Sequence, residues 1–465
     1  MKTLFILISL FFAVSLSARQ RDSRVREYLP PARIVWQQES QLIQGANHLL
    51  LSGNGQSNLV NHNICKLSST DRQHPAILLD FGKELQGGLQ IVTGMPASHE
   101  PVAVRIRLGE SVSEAMCDID GVNGASNDHA MRDFTIRLPW LGVMEVGNSG
   151  FRFARIDLLD DSVELHIKEI RAISVFRDIP YKGSFRCNDE RLNRIWQTGA
   201  YTVHLNMQEY IWDGIKRDRL VWIGDLHPEV MTVNTVFGYN EVIPKSLDFI
   251  RDATPLPGWM NGMCSYSIWW LLIQRDWYYY QGDLAYLKEQ KDYLTGLLRL
   301  LISKVGDDGV EKLDGGGRFL DWPSSENPVA IDAGLQALML QAVGNRMTKA
   351  ASKVIKPFLK SGVAPDAPGS KQAASLLALA GLMKPEEADR RYLAVNGGHG
   401  FSTFYGYYML RAMAAAGNYQ GAIDVIRQFW GAMLDLGATT FWEDFNLDWL
   451  PGASRIDELV PVGKK

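Results

Sequence analysis

Apolar residues recur along this chain at two different spacings, and the change from one to the other divides it. From about residue 30 to 180 the period is two: Val102, Val104, Ile106 and Leu108 alternate with Ala103, Arg105 and Arg107, and Val163, Leu165 and Ile167 with Glu164, His166 and Lys168. Alternation of this kind buries one face of a strand and wets the other. Further short strands are predicted at 77–81, 89–93, 134–138 and 151–158, separated by Gly, Pro, Asn and Asp clusters. That rhythm predicts an antiparallel β-sandwich over residues 28–181. After Asn188 or Asp189, either of which suits an N-cap, the spacing becomes helical and stays so to about Leu436. Leu294, Leu297, Leu298 and Leu301 follow the i, i+3, i+4, i+7 rule, as do Leu335, Leu338, Met339 and Ala342. Helices are predicted over 189–209, 225–238, 243–251, 264–281, 283–304, 329–360, 370–384, 399–416 and 418–436. Many amphipathic helices in antiparallel order, with no repeat of fixed period, fit an α/α toroid over 182–465 better than a solenoid. Its longer loops, 252–263, 305–328 and 391–400, would then build a cleft at one end.

Lys2, an apolar run over 4–16 and the small residues Ser15, Ser17 and Ala18 read as a secretory signal peptide over residues 1–18. The run is too short for a stable membrane anchor. The expectation is an exported protein, periplasmic or extracellular in a bacterium. A formal charge of -4 gives no electrostatic reason to expect a nucleic-acid partner. Cys65, Cys117, Cys187 and Cys264 are widely spread and lack metal-binding spacing. Asp118, Asp120 and Asn123 beside Gly121 are reminiscent of a calcium loop, but the downstream Glu that such a loop requires is missing, so a polar turn is predicted. No metal or other cofactor is expected.

Chemistry concentrates in residues 209–229, where Asp213, Asp218, Asp225 and Glu229 lie among Arg217, Arg219, Trp212 and Trp222. With Gly214 and Gly224 to bend the segment, these acids do not fit one continuous helix face, and a loop could bring them to one pocket. Carboxylates beside indoles suit a sugar site. The acids move protons and hold hydroxyls, and flat apolar rings pack on the C–H faces of a pyranose. The same segment also reads as an interhelical loop in which the arginines neutralise the acids.

The string DGIKRDRLVWIGD, residues 213–225, closely resembles the signature of the bacterial α-L-rhamnosidases of glycoside hydrolase family 78. Far along the chain, Gly437-Ala438-Thr439-Thr440-Phe441-Trp442-Glu443 looks like the loop that bears that family's catalytic base. Trp269-Trp270 and Phe319-Leu320-Asp321-Trp322-Pro323 resemble its aromatic subsite loops. Leu79-Asp80-Phe81-Gly82 and Ser149-Gly150-Phe151-Arg152-Phe153 resemble its accessory β-domain. The resemblance implies a six-hairpin (α/α)6-type toroid and inverting removal of terminal α-L-rhamnosyl residues from oligosaccharides, polysaccharides or glycosides. It implies Asp218 as general acid and Glu443 as general base. Asp213 and Asp225 would hold rhamnose hydroxyls, Trp222 and Trp322 would wall the sugar's methyl group, and Arg217, Trp269 and Trp442 would add substrate contacts. The family's acid is typically Glu, so Asp218, one methylene shorter, needs a backbone placed closer to the glycosidic oxygen.

Two other readings stay open on the residues alone: a sugar-binding relative without turnover, and another α/α-toroid carbohydrate-active enzyme such as a uronyl hydrolase or lyase. The segment after Glu443 is short for this family. The toroid is therefore expected to be incomplete, with an apolar face of the 189–209 helix left exposed.

Overall fold

A computed structural model describes residues 22–60, 62–119, 125–344 and 369–464. The expected signal peptide, Asp120, Gly121 and Asn123 of the polar turn, and the later part of the predicted 329–360 helix lie outside the described residues. Asp118 is described, paired to Arg105 at 2.8 Å and Arg107 at 3.3 Å.

The strands are β1 (Arg24–Leu29), β2 (Arg33–Gln38), β3 (Ile43–Gln44), β4 (Cys65–Ser68), β5 (Ala76–Thr93), β6 (Val102–Gly109), β7 (Asp133–Leu138), β8 (Val143–Leu158) and β9 (Glu164–Arg177). They form one sheet in the order β3-β4-β9-β5-β8-β6-β7, with β1 added on β9 and β2 on β5. Every pair is antiparallel. Leu67 and Leu165 near one end of that order share a buried cluster with Val104 and Leu108 near the other, so the sheet folds over a single core.

The strands expected at 77–81 and 89–93 are one 18-residue strand, β5, whose register shifts between Asp80 and Leu85 and again between Gly87 and Leu89. Gly87 permits the second shift. Its φ is +146°, and a Cβ there would lie 2.0 Å from the Ile173 carbonyl of β9. No disulfide joins the four cysteines.

Asp189 caps the first long helix, Glu190–Asn206, accepting from the Arg191 and Leu192 N–H groups. That helix packs on Ile223–Thr232. The ring continues through Cys264–Gln281, Pro328–Val343, Lys371–Leu379 and Thr403–Ala415, and the last of these returns to Ile223–Thr232. Flanking this ring are Val242–Ala253, Lys291–Ser303 and Tyr419–Asp435. The helical domain is thus an α/α toroid, and two expectations need correction. The first helix does not present a bare apolar face, because Leu192 and Ile195 pack against Leu434 of Tyr419–Asp435. The segment 283–304 is two helices, Leu284–Glu289 and Lys291–Ser303. Gln290 between them is buried, donating to Asp248 at 2.9 Å and accepting from Arg251 at 2.6 Å. A further turn, Pro385–Ala388 running into Asp389–Leu393, was not predicted. Among the described residues no helix is long and apolar enough to cross a membrane.

The two parts are joined by buried polar groups. Arg177, at the end of β9, donates to the Met207 and Gln208 carbonyls just past the first helix. Arg152 of β8 reaches the Gly437 carbonyl at 3.0 Å, and the Glu84 N–H donates to Thr439 Oγ1 at 2.9 Å.

Candidate active site

The segment between the helices Glu190–Asn206 and Ile223–Thr232 is a loop pinched at its base. The Asp213 N–H donates to the Leu220 carbonyl at 3.1 Å, and the Leu220 N–H donates to Asp213 Oδ1 at 2.9 Å. Inside the pinch Asp218 and Arg219 adopt φ values of +48° and +54°. Left-handed backbone at two adjacent non-glycine residues is costly and persists where surrounding contacts impose it. Here those contacts aim Asp218 inward. Its Oδ2 accepts from Trp222 Nε1 at 3.0 Å, while its Oδ1 makes no hydrogen bond and lies 3.3 Å from His129 Nε2.

Asp218 opens into a cavity of about 110 Å³ that Asp213, Asp225 and Glu443 also line. Trp222 and Trp322 form part of its wall with Tyr266, Phe319 and Phe404. A second cavity, of about 250 Å³, shares Asp213, Asp225, Phe404 and Glu443 with the first and extends past Asn206 and Glu229. Four acids separated by up to most of the helical domain's sequence thus meet in one place. Glu443 arrives on the loop after Tyr419–Asp435, which is held on both sides. Thr403 Oγ1 donates to the Trp442 carbonyl at 2.6 Å, and the Phe441 N–H donates to Thr202 Oγ1 at 2.9 Å.

The acids differ in their protons. Burial pushes the Asp213 carboxyl up to about 7 against the pull of the Leu220 N–H, and the charges of Asp218 and Glu443 add to the rise. Asp225 is held well above the carboxylate range, first by burial and then by Asp213, Glu443 and Asp321. Asp321, missed as a site residue although its loop was noticed, is 2% exposed, and burial lifts it to about 6. It accepts from Ser402 Oγ, from Gln372 Nε2 at 3.1 Å and from the Trp322 N–H at 3.0 Å, which fixes Trp322 at the mouth. Trp322 itself is 63% exposed and packs edge-on with Phe319 at 5.1 Å, an indole largely open beside a cluster of acids.

The proton on Asp213 makes a testable link to stability. Its pKa in the folded protein lies above the value of 3.8 for an unperturbed Asp, so its contribution is full below 3.8 and is lost as pH rises through about 7. Asp213→Asn keeps the acceptor for Leu220. It should raise Tm over wild type at pH 8 and leave it unchanged at pH 4, a difference of a few kcal/mol at most. Parallel Tm–pH curves for the two proteins would show that Asp213 does not hold this proton.

Of three residues expected to touch substrate, two lie elsewhere and one stands at the rim. Trp269 is 2% exposed and stacks on Tyr408 and against His227, with centroids 4.8 and 5.1 Å away, so it belongs to the core of the ring. Arg217 stands at the rim of the site, its side chain 75% exposed and its Nε 3.5 Å from Asp218 Oδ1. Trp442 packs on Phe445, at 5.8 Å between ring centroids, and is not among the residues lining either cavity. Tyr266, not predicted, packs edge-on to Trp222 at 6.0 Å. Gly224 makes that approach possible, because a Cβ there would lie 2.3 Å from the Tyr266 ring. Gly224→Ala should cost about 1–3 kcal/mol through overpacking and displace the Trp222–Tyr266 pair. Thermal unfolding together with near-ultraviolet circular dichroism tests this, and an unchanged Tm would refute the tight fit.

These features can be set beside those of known proteins. Residues 180–354 match the family model described as the bacterial alpha-L-rhamnosidase 6 hairpin glycosidase domain, a span that includes Asp213, Asp218, Trp222, Asp225 and Trp322 but not Glu443. An alpha-L-rhamnosidase from Formosa agariphila is 23% identical over 206 residues, covering 39% of this chain and 21% of that protein. Among solved structures, a rhamnosidase from Klebsiella oxytoca with rhamnose bound superposes with a TM-score of 0.69 at 18% identity, covering 96% of this chain and 93% of that one. The GH78 family rhamnosidase of Bacillus sp. GL1 superposes with a TM-score of 0.64 at 19% identity, covering 86% of this chain and 45% of that one. The chain therefore spans about a fifth of the curated relative and under half of the Bacillus structure, and nearly all of the Klebsiella one. Residues 180–354 thus match the six-hairpin glycosidase domain of the bacterial alpha-L-rhamnosidases, and the chain shares its fold with the rhamnosidase structures.

Proposed function

We propose that this protein is a glycoside hydrolase that releases a terminal α-L-rhamnosyl residue by an inverting mechanism, with Asp218 as general acid and Glu443 as general base. The observation that carries this reading is the convergence of Asp213, Asp218, Asp225 and Glu443 on one cavity whose mouth bears the exposed indole of Trp322. Inversion needs one carboxyl group to protonate the leaving oxygen and a second to activate a water on the opposite face of the ring. Asp218 suits the first role, because its loop fixes Oδ2 on Trp222 and leaves Oδ1 without a hydrogen bond. Glu443 suits the second, because its side chain is exposed at the cavity and a water can reach it. Burial favours the protonated forms of Asp213 and Asp225, in which they can donate to sugar hydroxyls without adding negative charge beside Glu443.

Assay of wild type against an aryl α-L-rhamnoside tests the activity, and proton NMR of the first-formed sugar tests its stereochemistry. β-L-Rhamnose appearing before mutarotation supports inversion, α-L-rhamnose refutes it, and no release of the aryl alcohol refutes the activity. Export is part of the same proposal and is supported by the Lys2 and 4–16 pattern. N-terminal sequencing of protein recovered from the periplasm or medium checks it, with a start near Arg19 expected.

A further inference from the structure

The β-sheet side of Asp218 carries a separate hollow. It is an open depression of about 590 Å³, a size that takes a multi-ring organic molecule. Phe134 and Ile136 of β7, Val146 of β8 and Met131 supply its apolar lining. Met131 is 58% exposed with no polar function, so the surface stays greasy up to the solvent. Two polar groups tie this hollow to the acid. His129 lines it and places Nε2 3.3 Å from Asp218 Oδ1, and Arg219, the residue after Asp218, lines it too. Arg219 donates to the Asn148 carbonyl at 3.0 Å and the His129 carbonyl at 3.4 Å, locking the acid's loop onto the β-sheet. His129, Asp218 and Arg219 all have positive φ, so this junction is held in a conformation that neither segment would choose alone.

A general acid that cleaves a glycoside stands between the sugar and the leaving group, because its proton goes to the oxygen that joins them. On the reading above, the cavity shared with Glu443 takes the sugar. We infer that the hollow lined by Met131, Phe134, Ile136 and Val146 is the leaving-group subsite, and that it takes an apolar, flat aryl aglycone rather than a second sugar. A pyranose needs hydrogen-bonding partners along its edge and an open aromatic face. This hollow offers four apolar side chains, its aromatic ring, Phe134, is half-buried, its arginine is committed to two carbonyls, and of its asparagines Asn127 bonds to the Arg132 and Asp133 backbone while Asn148 Oδ1 accepts from Gln86. A fused aromatic aglycone would lie on Ile136 and Val146 with its phenolic oxygen toward Asp218.

The inference rests on the rhamnosidase reading, and the experiment separates the two. Met131→Glu puts a charge on the hollow at an exposed position that the fold does not need. For wild type and variant, kcat/KM is measured on methyl α-L-rhamnoside, on 4-methylumbelliferyl α-L-rhamnoside and on an α-L-rhamnosyl-glucose disaccharide. The expected result is a loss of about ten-fold or more on the umbelliferyl glycoside, mainly in KM, with the methyl glycoside unchanged. Equal losses on both, or no loss on the umbelliferyl glycoside, would overturn the subsite. A loss confined to the disaccharide would overturn the aryl class. Binding of free 4-methylumbelliferone is followed in parallel by saturation-transfer NMR. If no rhamnoside is cleaved, the activity reading fails, yet binding in wild type that Met131→Glu abolishes would still support the hollow as an aryl site. Absence of binding in wild type would sink it.

Discussion

Glu443→Gln and Asp218→Asn should each slow hydrolysis of an aryl α-L-rhamnoside by about 10²–10⁴-fold in kcat, the usual worth of a positioned proton donor or acceptor. Both substitutions keep the shape of the side chain. Asn at 218 can still accept from Trp222 Nε1 through its amide oxygen, so the loop's pinch and the indole's position survive. Affinity for rhamnose should accordingly change little in either variant, and the loss should fall on turnover. The two variants should also differ from each other. An activated phenol leaves without much protonation, so Asp218→Asn should lose less on a nitrophenyl glycoside than on an alkyl one, whereas Glu443→Gln should lose the same on both. Turnover that survives both substitutions would remove these residues from the chemistry, and loss of rhamnose binding alongside turnover would mark them as binding groups.

Legibility in the sequence followed the physics of each signal. Strands such as β6 showed because they are half-buried and alternate. β5 was split into two because Gly82 and Gly87-Gly88 look like turns, and in the structure Gly87 instead permits a bulge within one strand. β1, with its run of Arg and Glu, gave no apolar alternation to read. The leucine spacing across 283–304 continues through Gln290, which keeps right-handed helical dihedrals between the two helices while its side chain bonds to Asp248 and Arg251. Within the site, Asp213, Asp218 and Asp225 were visible because one short segment carries them together. Asp321 was not, since what distinguishes it is burial, and a lone acid in a loop does not announce that. Trp269 was misread for the opposite reason. An indole near a sugar motif suggests a platform, but Ile268, Trp270, Leu271 and Leu272 around it make a helix that is apolar on every side, and such a helix lies in a core.

Arg152 tests how far the β-sheet takes part in the chemistry. It sits on β8, 7% exposed at its side chain, and forms a two-pronged pair with Asp80 at 2.8 and 2.9 Å. Its remaining amine donates to the carbonyl of Gly437, where the loop carrying Glu443 begins. Burial alone would raise the Asp80 carboxyl, but Arg152, the Gly82 N–H and Arg33 bring it below its ordinary value, so the pair is charged and mutually dependent. Arg152→Leu leaves Asp80 with the Arg33 guanidinium and the Gly82 N–H and leaves the Gly437 carbonyl without this donor. Breaking a buried pair from one side costs about 3–5 kcal/mol, and Tm should fall accordingly. Activity should fall as well, by up to about 10²-fold, since a shift of about an ångström in a catalytic group is enough for that. Lys at this position restores the charge but not the planar fork that spans Asp80 and Gly437 together. Arg152→Lys should therefore recover much of the stability and little of the rate, with the loss in kcat and not in KM because no sugar contact is removed. Full activity in a folded Arg152→Leu protein would show that the Glu443 loop keeps its place without this arginine, held by Glu84, Thr202 and Thr403.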